Sequence, residues 1–127
     1  MVLPALARGG YAVKRGVHVG TRPGGGKHIV DVLAKDGRGR TFLISLKWQQ
    51  VSGTAEQKIP FEVISLAEAI RDARGEFEKA YIVLGGIGWT LRDFYIAGGL
   101  NDHLIFADLV RLVTLEQFVA LANTGSL

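Results

Sequence analysis

The stretch that most constrains this chain is Asp36-Gly37-Arg38-Gly39, set between two runs of β-forming residues, His28–Lys35 and Thr41–Gln50. Asp-Gly readily supplies positive φ, so the two runs read as neighbouring antiparallel strands of one hairpin. A turn centred on Gly37-Arg38-Gly39 sets the register and places Asp31 directly opposite Ser45. In the second run Phe42, Ile44, Leu46 and Trp48 alternate with Ser45, Lys47 and Gln49. Period-two geometry therefore puts Ser45, Lys47 and Gln49 on one face, which Asp31 shares. Asp31 interrupts an otherwise apolar strand, Ile29-Val30-Asp31-Val32-Leu33, and a carboxylate in that setting needs Lys47 or a bound cation as partner.

Around the hairpin the elements follow from periodicity. Met1–Ala7 reads as one or two helical turns, and Tyr11–Gly20 as a strand with a break near Gly16. Beyond Gly53, Ile59, Val63, Leu66, Ala67 and Ile70 recur at helical spacing, with Thr54 and Gln57 as a candidate capping box. Pro60 lacks an N–H and crowds the preceding turn, so the helix kinks or truly starts near Ile59. Lys79–Leu84 reads as a buried strand, Thr90–Ala97 as a short helix, Leu109–Val113 as the last strand, and Leu115–Ala122 as a closing helix capped by Thr114. Trp48 and Trp89 are expected core anchors.

A chain of 127 residues carries one core, so residues 1–127 are expected to form a single domain. It has no cysteine, which removes disulfides, thiolate metal sites and cysteine nucleophiles and leaves oxygen ligands for any metal. Its longest apolar stretches fall far short of the roughly 18 residues of a membrane span. The start, Met1-Val2-Leu3-Pro4, has no basic lead, so the expected location is the cytoplasm with no membrane partner. The formal charge of +3 is unevenly spread: the first fifty residues hold nine basic and two acidic residues, whereas the remainder is net acidic. A basic N-terminal half suits a phosphate-bearing partner.

Asp31, then Ser45-Leu46-Lys47 on the next strand, then a Glu-bearing helix, resembles the PD-(D/E)XK nuclease superfamily, the restriction-endonuclease-like fold. Lys47-Trp48-Gln49 also looks like the corresponding segment of nuclease domains in that superfamily. The resemblance covers roughly Tyr11 to Leu84 and implies an α/β fold: an αβββαβ core with a mixed central sheet flanked by helices. It further implies a Mg²⁺- or Mn²⁺-dependent DNA endonuclease, with Asp31 as metal ligand and Lys47 as the lysine that orients the attacking water. Ser45 stands where the family has its second acidic residue. By similarity to members whose acid has moved to the following helix, Glu62 supplies the missing carboxylate, with Glu56 as the alternative. Gln49 is implied as an auxiliary ligand or phosphate contact.

For DNA contact the sequence offers Arg22 and Lys27 in the Gly24-Gly25-Gly26 loop and Arg38 and Arg40 in the hairpin turn. That loop fails as a nucleotide phosphate loop, since a strand follows where a helix N-terminus is required. Gly86-Ile87-Gly88 lacks the third glycine of a dinucleotide turn. His28 lies three residues before Asp31, on the opposite strand face, and is expected to be structural. Two other function classes stand beside the nuclease: a catalytically decayed nucleic-acid-binding module of the same fold, and a Ser–Lys hydrolase built on Ser45 and Lys47. A nuclease this small has little surface for sequence readout, so a homodimer is expected.

Overall fold

The computed structural model describes all 127 residues. Its elements run α1 (Val2–Arg8), β1 (Ala12–Thr21), β2 (Lys27–Lys35), β3 (Thr41–Trp48), α2 (Ile59–Asp72), β4 (Lys79–Gly85), α3 (Arg92–Ile96), β5 (Val110–Thr114) and α4 (Leu115–Asn123). The sheet order is β1-β2-β3-β4-β5. β1, β2 and β3 pair antiparallel, while β4 and β5 join in parallel, which makes the sheet mixed as expected.

Two layers cover the sheet. On one face α2 packs Ile59, Val63, Leu66 and Ile70 against Leu43, Ile82 and Leu84, with Tyr95 and Leu100 extending the layer. On the other face α1 and α4 bring Leu6, Phe118 and Ala122 onto Phe42, Ile44, Tyr81 and Val83. The odd–even alternation of β3 thus divides its side chains between the two cores. α4 starts on a complete capping box, with Gln117 N donating to Thr114 Oγ1 and Thr114 N to Gln117 Oε1. The other expected box does not form: Thr54–Lys58 is a 3₁₀ turn without a side-chain cap, and α2 begins at Ile59 with Pro60 in its first turn. Proline is tolerated there because that N–H would be unpaired in any case.

The hairpin register is the expected one from Lys35↔Thr41 to Val32↔Ile44, and there the ladder stops. On the other side of β2, Arg15 pairs with Val32 and Val17 with Val30, leaving Gly16 opposite Asp31 outside the ladder. Gly16 takes φ 58°, a left-handed conformation open to glycine at little cost. Both strands change face at this point: Val13 packs toward α1 and α4 but Val17 toward α2, and Val30 and Leu33, three apart, both face α2. Asp31 lies at the break.

Candidate active site

Asp31 is exposed, and its Oδ2 accepts a hydrogen bond from the backbone N of Leu46 at 2.6 Å. The expected register holds as far as Val32↔Ile44, where the ladder ends, and the Asp31 side chain takes its hydrogen bond from the backbone of Leu46, next to Ser45 on β3. Its other carboxylate oxygen receives no hydrogen bond from the chain. Lys47 follows Leu46, and its Nζ lies 3.1 Å from Glu62 Oε2.

Glu62 is in the first turn of α2 and is 5% exposed. Its Oε1 accepts from His28 Nε2 at 3.0 Å and from Arg22 Nη1 at 3.3 Å. A carboxylate only accepts, so Nε2 carries the proton of the His28 bond, while Nδ1 is buried without a partner. Burial pushes the Glu62 carboxyl up; the His28 hydrogen bond and the Lys47 and Arg22 charges outweigh it and hold the group at about 2. The ion pair projects into a cleft of about 370 Å³ lined by Arg22, Lys47, Gln57, Lys58, Phe61 and Glu62.

The other acidic candidate goes elsewhere. Glu56 is buried, its Oε1 accepts from Thr90 N and from Gln49 Nε2 at 3.2 Å, and its Oε2 accepts from Thr90 Oγ1 at 2.7 Å. Tyr95 Oη donates to the Glu56 carbonyl at 2.7 Å. Glu56 therefore ties the 3₁₀ turn to the segment after β4 and makes no ion pair with Lys47, whose carboxylate partner is Glu62. Gln49 belongs to the same latch, with its Nε2 also donating to Gly88 O at 2.8 Å, so it is not presented to the cleft. Ser45 is buried in the α2-facing row of β3.

The basic candidates separate by distance. Arg22 reaches Glu62, and Lys27 begins β2 on the far side of the same loop. Arg38 and Arg40 lie at the tip of the hairpin, where Asp36 Oδ1 accepts from both backbone N–H groups and Oδ2 from Arg40 Nε at 2.7 Å. From Arg40 to Lys47 is the length of β3, about 23 Å at a strand's rise, so the hairpin turn is not part of the cleft.

Two residues differ from their sequence reading. His28 is a missed member of the site: strand parity relates it to Asp31, whereas its contact is with Glu62, which arrives from the helix layer. Trp48 is 63% exposed instead of a core anchor, because β3 outruns the cover of α1 and α4; Trp89 is buried, with Nε1 donating to Gly85 O. The glycines after β4 make room for this end of β3. A Cβ on Gly85 would lie 2.3 Å from the Trp48 ring, and one on Gly86 would lie 2.3 Å from the Gln49 carbonyl.

No three His, Cys, Asp or Glu side chains converge as a ready-made metal cage. The open oxygen of Asp31 and the carboxylate of Glu62 are nonetheless the donor types for a magnesium-like ion, which takes one or two carboxylates, keeps waters and is completed by substrate phosphate. The residues present fit such an ion on those terms.

A family model for PD-(D/E)XK nuclease superfamily domains matches residues 2–126. Among solved structures, a protein of unknown function aligns with a TM-score of 0.53 and 17% identity, over 90% of this chain and 54% of that one. A repair endonuclease from Pyrococcus abyssi aligns with a TM-score of 0.44 and 16% identity, over 87% of this chain and 40% of that one. The chain thus spans about half the length of the first and less of the second. No curated protein matches.

Proposed function

For a chain that belongs to the PD-(D/E)XK nuclease superfamily, we propose the activity of a metal-dependent endonuclease that hydrolyses DNA phosphodiester bonds. The observation that carries this reading is the Lys47–Glu62 pair at 3.1 Å in a cleft with two further cations, Arg22 and Lys58, one residue along β3 from the backbone N–H that anchors Asp31. Ser45, in place of the usual acid, supplies no charge; Glu62 supplies it from α2. A divalent cation held by Asp31 and Glu62 would polarise a phosphate oxygen and make bound water more acidic. Lys47 is placed to orient the attacking water and to offset charge developing on the phosphate. Arg22, Lys58 and Lys27 draw the DNA backbone toward the cleft without reading bases. No helix of the chain is long and apolar enough to cross a membrane, and none of this chemistry needs one.

The test is nicking of plasmid DNA with Mg²⁺ or Mn²⁺. Cleavage is expected in the wild type and is lost with EDTA, with Asp31→Ala and with Lys47→Ala, while DNA binding by the two variants persists. Cleavage retained under all three conditions rejects the proposal. DNA binding that is indifferent to EDTA, with no cleavage by any form, supports the decayed binding module instead.

A further inference from the structure

The arrangement around Glu62 carries a consequence for the order of binding. Its two oxygens already take three donors, two of them on the full positive charges of Lys47 and Arg22. A cation approaching this carboxylate meets both an occupied oxygen and two like charges.

The three partners are not equally fixed. His28 is fully buried on β2, and Lys47 extends from the central strand β3. Arg22 makes the longest of the three contacts, is partly exposed as Lys47 is, and stands not on a central strand but at the head of a loop in which Gly24 and Gly25 have φ of 96° and 103°. Its neighbours across the cleft, Gln57 and Lys58, add a donor amide and a cation that pairs with no carboxylate. A phosphodiester entering there offers a guanidinium two oxygens in the planar geometry it prefers, against one contact of 3.3 Å to Glu62.

We propose that Arg22 is a substrate sensor: it keeps Glu62 closed to cations until a DNA phosphate in the cleft of Arg22, Gln57 and Lys58 draws its guanidinium away. Metal loading then follows DNA binding, and by linkage each tightens the other. The effect restrains cation binding when no DNA is present. It rests on the reading of Glu62 as a metal-holding carboxylate, and the experiment separates the two.

Mn²⁺ is titrated calorimetrically into the full chain, without DNA and with a saturating duplex whose linkages are phosphorothioates. Five forms are compared: wild type, Arg22→Ala, Arg22→Lys, Lys58→Ala and Glu62→Gln. The proposal expects Arg22→Ala to bind Mn²⁺ about tenfold tighter than wild type without DNA, and to gain less than wild type when DNA is added. Lys58→Ala removes the same charge from the same cleft without touching Glu62, and its DNA-free Mn²⁺ affinity is expected within about twofold of wild type. Arg22→Lys, which keeps a cation beside Glu62, is expected to return toward wild type. Melting temperatures of all forms establish that they are folded. The inference is overturned if Arg22→Ala binds Mn²⁺ no tighter than wild type, or if Lys58→Ala gains as much. Wild-type Mn²⁺ binding that is unaffected by Glu62→Gln would overturn the reading of the site itself.

Discussion

At the scale of the residue, Glu62 concentrates the chemistry. A carboxylate this buried stays ionised because His28, Lys47 and Arg22 surround it, and its acidity, at about 2, lies below the ordinary value of 4.5. A carboxyl depressed in the folded state contributes stability that is fully present above its unfolded value and is lost as pH falls through the folded one. Stability should therefore decline between about pH 4.5 and 2, with Glu62 responsible for up to roughly 3 kcal/mol of the change. Denaturant unfolding at pH 6 and at pH 3 checks this: Glu62→Gln should show a smaller difference between the two pH values than the wild type. Glu56 is held low as well; burial acts against the Thr90 and Gln49 hydrogen bonds, and the Thr90 hydroxyl is the strongest influence. Its role is a clamp between segments, so Glu56→Ala should lower the melting temperature, whereas Glu62→Ala should remove cleavage from a chain that still folds.

At the scale of the element, the decisive feature is the break that β1 and β2 share at Gly16 and Asp31. The left-handed φ of Gly16 lets β1 change face, and β2 changes face with it, releasing Asp31 from ladders on both sides. Gly16→Val should cost about 1–2 kcal/mol in stability from the left-handed backbone alone. Cleavage should fall further than that loss accounts for, since Asp31 would be drawn back toward regular pairing; unfolding and nicking assays on the same variant separate the two effects. Much of this was legible in the sequence. The Asp36–Gly39 turn set the register, β3 alternation separated Phe42 and Ile44 from the face of Ser45 and Lys47, and Pro60 marked the start of α2. The glycine at position 16 signalled a break, but periodicity alone does not tell which way a partner strand turns when a ladder ends. Glu62 was reachable only through resemblance, since helical spacing says nothing of which strand a polar residue meets. His28 was missed because strand parity describes neighbours within a sheet and not a contact made across layers. Trp48 was misread because apolar alternation identifies a face without revealing where its cover stops.

At the scale of the molecule, the uneven charge gains a location. The basic first fifty residues fold as α1 and the β1–β3 meander, which carries Arg22, Asp31 and Lys47, while Arg38 and Arg40 stand at the opposite end of β3. Net charge is therefore a poor guide to the footprint, and position in the fold is a better one. Lys58→Ala should weaken DNA binding and lower the slope of log affinity against log salt by about 1, whereas Arg40→Ala, already engaged by Asp36, should leave that slope nearly unchanged. The proposed activity stands or falls on a cation held by Asp31 of β2 and Glu62 of α2. Diffraction at the manganese edge from crystals of the chain with Mn²⁺ and a phosphorothioate duplex tests it most directly. The account predicts an anomalous peak within bonding distance of both carboxylates, with a DNA phosphate oxygen completing its coordination; a peak at Glu56, or duplex bound in the cleft with no peak at Asp31 and Glu62, would contradict it.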